Sequence, residues 1–337
     1  MTQIEDHRFP CDTCGSDLRF DPDQAHLKCD HCGNAEDVQF PPTQITELDF
    51  KAAITAQLPE AEIEETRVSK CPNCGAQVEF DADIHSKECA FCATPVVTST
   101  GSHRHIKPKA VLPFKLTEPS ARDAMTDWLG QLWFAPNGLK EYAQKGRRLN
   151  GIYVPYWTFD ADTQTGYTGQ RGTHYYVNES YTDSDGRHAT RRVRKTRWRS
   201  VQGRVRRWFD DILVLASKSL PHRYTEALEP WNLAHLHPYT PEYLAGFQAE
   251  GYGVELTEGY DVARGKMHEV LVAAVRFDIG GDAQRIDRMN TDVSDITFKH
   301  ILLPVWVAAY KYRGKTFRFV VNGDTGRVQG ERPYSVW

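Results

Sequence analysis

The residues best placed for chemistry are eight cysteines, set as four CxxC pairs: Cys11 and Cys14, Cys29 and Cys32, Cys71 and Cys74, Cys89 and Cys92. They make two blocks, CDTCGSDLRFDPDQAHLKCDHC over residues 11–32 and CPNCGAQVEFDADIHSKECAFC over 71–92, each with fourteen residues between its pairs. Shifted by sixty positions the blocks superimpose, Gly15 on Gly75, Phe20 on Phe80, Asp21 on Asp81 and Asp23 on Asp83. The chain carries an internal duplication of a four-thiol unit.

Four thiolates suit a closed tetrahedral zinc site. In a CxxC knuckle the chain reverses so that both sulfurs face one ion, and a glycine after the second cysteine supplies the positive-φ turn. The spacing therefore predicts two zinc ribbons with one structural Zn2+ each. Leu18 and Phe20, and Val78 and Phe80, give each ribbon only a few apolar contacts. Metal binding is expected to supply most of the ribbons' folding free energy, roughly 10–16 kcal/mol for structural zinc. A catalytic zinc keeps a position open for water, and four thiolates leave none. Redox use of CxxC expects a neighbouring βαβ pattern, which is absent; iron takes similar ligands but is the rarer structural choice. His31 and His85 lie inside the blocks, but the ligand sets are complete without them.

The elements that hold these cysteines read as ribbon 1 over residues 8–37, an acidic helical linker over 38–69 and ribbon 2 over 70–97. In the linker, Leu48, Ala52 and Ile54 or Leu58 fall near helical spacing ahead of Glu60, Glu62, Glu64 and Glu65. That segment is either a solvated spacer or a docking helix. Residues 1–100 carry 7 Lys+Arg against 19 Asp+Glu, while the whole chain of 337 residues has a net charge of only -4, so an acidic front precedes a basic body. Cysteines confined to CxxC pairs point to a reducing cytoplasm. The longest apolar run, Ile301 to Tyr310, is about half a membrane span, and the N-terminus has no secretion-signal pattern.

Residues 107–337 read as an α+β domain rich in antiparallel hairpins. Thr117-Glu118-Pro119 starts a helix through ARDAMTDWLGQLW, and Tyr260, Ala263, Met267, Leu271 and Ala274 mark a second. Alternating arms around Asp185-Gly186 predict a hairpin over 173–207, and KTFRFVVNGDTGRVQG predicts another that turns at Asn322–Gly326. GIYVPYWTF and ILLPVWVAA match at Pro155/Pro304 and Trp157/Trp306. The match suggests an internal duplication with the prolines at edge or bulge positions.

No enzyme signature appears. Gly259 stands one residue too far from Gly265-Lys266 for a phosphate loop, and Met267 replaces its Ser or Thr. Asp210 and Asp211 are adjacent, so on a strand they face opposite ways. The expected protein is non-enzymatic.

Residues 187–207 hold ten Lys+Arg and no acid. Arg191, Arg192, Arg194, Lys195, Arg197, Arg199, Arg204, Arg206 and Arg207 form the candidate anionic-surface site, with Trp198 and Trp208 beside them. Such a strand attracts an anionic membrane face or nucleic-acid phosphates, or the chain's own acidic ribbons. Nucleic acid is the weaker reading for the ribbons, because ribbon 1 has 3 Lys+Arg against 7 Asp+Glu and each zinc tetrathiolate adds negative charge.

The paired ribbons, GIYVPYWTFDA, Thr196-Arg197-Trp198, Phe209-Asp210-Asp211, EYLAGF and FKHILLPVWVAAYKYRGKTFRFVVNGDTGRVQGERPYS together resemble bacterial zinc-ribbon proteins of the transcription-factor-IIB type, some labelled primosomal or helicase-like. The resemblance covers most of the chain, and NGxTGxVxGERPYS is its most specific part. It implies a place in stress operons with phage-shock protein A and a flotillin-like SPFH protein, both as partners. Longer relatives continue into a hydrophobic anchor, whereas this chain stops at Trp337: either this version is peripheral at the inner membrane face, or an anchor lies in a partner or has been removed. The ATPase motifs of a helicase are missing. The expected function is a zinc-binding adaptor that docks protein partners in a membrane-stress complex; the alternative is a nucleic-acid-binding protein using the basic hairpin.

Overall fold

The computed structural model describes residues 9–38, 44–66, 68–73, 75–79, 86–89, 91, 94–97, 103–130, 149–182, 184, 186–220, 222–312 and 315–331. Cys74, His85, Cys92, Asp185 and the segment 332–337 of the sequence reading lie outside them. The described chain is a strand-rich α+β protein with mainly antiparallel pairing. It divides into two compact units: one of Met1–Thr158, Leu213–Gly259 and Phe298–Trp337, the other of Phe159–Ile212 and Tyr260–Thr297.

The first unit begins with an antiparallel sheet of β1 (Leu18–Asp21), β2 (His26–Cys29) and β3 (Ala35–Asp37). The period-2 pattern turns Leu18, Phe20, Leu27 and Cys29 inward. The helix expected after Leu48 is shorter than its spacing suggested. β4 (Leu48–Asp49) leads into α1 (Phe50–Ile54), capped where the Asp49 carboxylate accepts from the Ala52 N–H at 2.6 Å. Ala56 then takes a left-handed φ of 55°. The acidic run is partly a strand rather than a free linker: β5 (Ile63–Thr66) pairs with a later strand, Glu64 opposite His105. In the second cysteine block β6 (Val68–Lys70) pairs with β7 (Gln77–Glu79), and β8 (Ser86–Glu88) with β9 (Pro95–Val97).

After β10 (His103–Ile106), the partner of β5, come β11 (Ala110–Val111) and α2 (Glu118–Gly130), which buries Ala121, Met125 and Leu129. Four long elements follow: β12 (Asn150–Thr182), β13 (His188–Leu215), α4 (Leu256–Ile279) and β16 (Ala283–Tyr312), the third of them after α3 (His222–Glu226), β14 (His237–Pro238) and β15 (Gln248–Ala249). β17 (Lys315–Asn322) and β18 (Val328–Gly330) close the chain as the expected hairpin. Its turn is held by the Asn322 side chain, whose oxygen accepts from the Asp324 and Thr325 N–H groups, both at 2.9 Å, while its amide donates to the Leu228 carbonyl.

The core of the first unit lies where β12 and β16 are covered on both faces. Every residue from Ile152 to Thr158 is buried, the signature of an interior strand rather than an alternating one. Trp157 is fully buried and its indole N–H donates to the Val254 carbonyl at 2.9 Å.

The two prolines are not on edge strands. The strand order is β13-β12-β16-β11-β14, which makes β12 and β16 interior. Pro304 falls between two successive partners of β16: β11 pairs with Ile301 and Leu302, and β17 begins its register at Val305. Pro155 likewise lies between β15, paired with Ile152 and Tyr153, and the Ala216 N–H that donates to the Pro155 carbonyl at 3.0 Å. A missing N–H is tolerated at such a junction because no ladder donor is required there.

His300 is buried in this unit, its Nδ1 hydrogen-bonded to the Ile106 carbonyl at 2.8 Å. Burial, with nearby His105 adding to it, pushes its pKa down to about 4. The unfolded imidazole protonates first as pH falls, so this stability is complete above about pH 6.5 and is lost on the way down to about 4. We expect His300→Gln to remove at most about 3 kcal/mol of the pH dependence between pH 7 and pH 4. Urea unfolding of both proteins at the two pH values measures the difference, and parallel pH profiles would refute it.

The second unit is built from residues 159–182 of β12, 188–212 of β13 and 283–297 of β16, with residues 260–279 of α4 packed across them. Thr165 meets Thr291 at 2.9 Å, and a Cβ on Gly169 would lie 2.3 Å from the Arg285 carbonyl oxygen, so β12 and β16 run side by side in antiparallel sense. Tyr167, Val275 and Ile279 form its small core, with Val201, Val205, Ile286 and Met289 packed against them. The Tyr167 hydroxyl donates to Asp278 at 2.5 Å, tying helix to sheet. The hairpin expected over 173–207 is present, but its arms extend far beyond those bounds.

Candidate metal centre and basic surface

The four sulfurs of Cys11, Cys14, Cys29 and Cys32 lie within 4.8 Å of one another. Cys11 to Cys32 is 3.6 Å and Cys14 to Cys29 is 3.5 Å. These separations are far beyond a disulfide bond of about 2.05 Å. They are close to the roughly 3.8 Å edge of a tetrahedron with metal–sulfur bonds of about 2.3 Å.

Local backbone chemistry sets each knuckle. The Cys11 N–H donates to the Ser16 carbonyl and the Cys29 N–H to the Asn34 carbonyl, both at 2.8 Å. Gly15 and Gly33, at φ 76° and 77°, donate back to the Cys11 and Cys29 carbonyls. The Asn34 amide also reaches the Cys11 sulfur at 3.6 Å, a contact that sequence reading missed. The N–H and hydroxyl of Ser16 draw Cys14 down to about 6. Cys32 is favoured as thiolate by the Asn34 N–H, but burial and its three sulfur neighbours push it up to about 12. Sulfurs crowded this closely cannot all ionise unless a cation joins them, so the donor set fits a metal. His31 is exposed and stands outside the cluster, as expected.

In the second block the same backbone pattern recurs. Cys71 N–H donates to Ala76 and Cys89 N–H to Thr94, both at 2.8 Å, and Gly75, at φ 78°, donates to Cys71. Cys71 and Cys89 are both buried.

Both blocks are built into the first unit. Leu18, Phe20, Leu27 and Val38 share one apolar cluster with Val111, Phe114, Tyr243 and Phe319. Phe20 packs edge-on to Tyr243 at 5.3 Å, and its N–H donates to the Ala245 carbonyl at 3.0 Å. Cys71, Cys89, Phe91 and Val96 belong to another cluster with Leu112, Ile152 and Val305. The expectation that each block relies on a few contacts of its own is therefore corrected for the first, where Leu18 and Phe20 pack on the body; Phe80 and the Val78 side chain of the second lie outside the described residues.

The basic residues lie on the second unit and all nine of the candidate set are exposed. Register adds what the sequence hid. β12 brings three exposed tyrosines opposite them, and Arg191 lies over Tyr181 at 5.5 Å, Arg192 over Tyr176 at 4.2 Å and Arg197 over Tyr175 at 5.4 Å. The signal was present in THYYVNESY but carries no meaning until the strands pair. Glu179 binds Lys195 at 2.7 Å and Arg191 at 3.8 Å, which holds its carboxyl below the usual range, and Asp162 binds Arg206. Among the described residues no carboxylate pairs with Arg194, Arg199, Arg204 or Arg207. Trp198 lies beneath Arg285 at 4.1 Å, and Trp208 is 56% exposed.

Among the described residues no helix is long and apolar enough to cross a membrane. No protein-family model matches the chain, and no solved structure matches it. The chain is 25% identical over 331 residues to a Bacillus subtilis protein, "Uncharacterized protein YdjG", with 97% of this chain and 90% of that protein covered.

Proposed function

We propose that the protein is a non-enzymatic adaptor of the cytoplasmic membrane face, in which two structural Zn2+ ions staple the first unit and the β12–β13 hairpin contacts an anionic surface. The observation that carries this is the interleaving of Arg192 and Tyr176, Arg197 and Tyr175, and Arg191 and Tyr181 on one exposed hairpin. Basic residues supply about 1 kcal/mol each near an anionic leaflet, and tyrosine rings favour the lipid–water interface. Phage-shock protein A and an SPFH protein are the partners this reading favours. Because Leu18, Phe20 and Leu27 of the first ribbon are buried, any docking by it uses its exposed polar edge, such as Asp12, Thr13 and His31.

A second reading is nucleic-acid binding by the same hairpin, favoured by exposed tyrosines that offer stacking faces beside arginines. Co-sedimentation of the metal-loaded protein with anionic and neutral vesicles, beside an oligonucleotide assay at equal salt, separates the two. Binding to anionic vesicles alone supports the adaptor; binding to the oligonucleotide alone replaces it with the second reading.

A further inference from the structure

The second unit contains a cleft of about 440 Å³ between α4 and the strands β12 and β16, within the roughly 300–1,000 Å³ of small-molecule sites. Its back wall is apolar and comes from Met267, Leu271, Met289 and Val293. The first two are only 2% exposed. Two of these residues are methionines, which adapt to ligand shape. The polar groups deeper in the wall are already paired: the Thr163 hydroxyl donates to the Arg207 carbonyl at 2.7 Å, and Thr291 is bonded to Thr165. Charge appears only at the mouth. Arg264 and His268 stand one helical turn apart there, and both are exposed. Arg264 uses one nitrogen on Asp261 at 3.0 Å, and its fork has donors left for a second anion.

Gly265 provides an independent sign that the space is kept open. It sits inside α4, where glycine costs about 1 kcal/mol relative to alanine. No atom lies within 4 Å of where its Cβ would stand, so packing does not require it. Gly259 on the same helix is different, since its Cβ would lie 2.7 Å from the Trp157 ring. What Gly265 preserves is the helix wall of the cleft.

We infer that this cleft binds a single-chain anionic amphiphile, with the apolar chain against Met267, Leu271 and Met289 and the anionic head at Arg264 and His268. The interior takes an uncharged chain because its polar atoms are satisfied; the mouth takes an anion because the Arg264 guanidinium keeps N–H donors beyond the one it gives Asp261, with the His268 ring beside it. This inference is independent of the hairpin surface.

The test is calorimetric titration of the full metal-loaded chain with dodecanoate, dodecyl phosphate and dodecanol below their micelle concentrations. Saturable binding of either anionic probe, at least ~10-fold tighter than dodecanol, is expected. Gly265→Leu should abolish it while the melting temperature holds or rises, because leucine is the better helix former. Arg264→Gln should weaken the anionic probes about 10-fold and leave dodecanol unchanged. Absence of saturable binding, dodecanol bound as tightly as dodecanoate, or unaltered binding by Gly265→Leu would overturn the inference.

Discussion

Removing metal from the proposed Cys11–Cys14–Cys29–Cys32 centre should unfold the first unit as a whole and not merely fray its N-terminus. A structural zinc contributes roughly 10–16 kcal/mol to the folding of a small ribbon, and an ordinary domain has a net stability of about 5–15 kcal/mol. The loss would remain local if the ribbon stood apart. It does not, because Leu18, Phe20 and Leu27 belong to the cluster that holds Phe114, Tyr243 and Phe319. Protonated or uncoordinated sulfurs would leave Cys11 and Cys29, at 2% and 1% exposure, crowded without a partner cation. Hydrogen exchange with and without a strong chelator at pH 7 is the measurement. We expect protection at Val111–Phe114 and Tyr243–Ala245 to collapse along with that of β1 and β2. Cys11→Ser with Cys29→Ser should do the same without chelator. Continued protection at Val111–Phe114 after complete metal removal would mean that the body folds independently of the ribbon.

Replacing Arg192, Arg194, Arg197 and Arg199 together by serine should weaken binding to anionic vesicles by about 1,000-fold, from about 1 kcal/mol for each of four charges. The fold should persist. All four side chains are exposed, and the two that sit over tyrosines lose about 0.5–1 kcal/mol each in cation–π energy, small beside the binding effect. The residual binding of wild type should also fall as salt rises past about 0.15 M, where the screening length shrinks to about 8 Å. Vesicle affinity that survives the four substitutions would take the hairpin out of the proposed function. Loss of oligonucleotide binding with vesicle binding intact would assign the arginines to nucleic acid instead.

Much of the local structure was legible because its causes are local. The knuckles follow from cysteine spacing and from Gly15, Gly33 and Gly75, whose positive φ angles need no neighbour to explain them. Helix α4 follows from the period of Tyr260, Met267 and Leu271, and the last hairpin from an Asn322 side chain that closes its own turn. The helix expected after Leu48 came out as a single turn, because Leu48 and Asp49 are drawn into β4, which pairs with β16, and the left-handed Ala56 ends the helix after Ile54.

By itself, then, the sequence determined the eight thiols in two equal sets, the strand-rich α+β composition and the cluster of charge along residues 187–207. Tertiary structure decided the rest, since it depends on partners far away in the chain. Pro155 and Pro304 could be placed between successive strand partners only once β11, β15 and β17 had been assigned. The first cysteine block's apolar residues became part of a shared core when Tyr243 and Ala245 met Phe20. The tyrosines joined the arginines through cross-strand register, because side chains on neighbouring strands are brought together by pairing, which no single strand's sequence encodes.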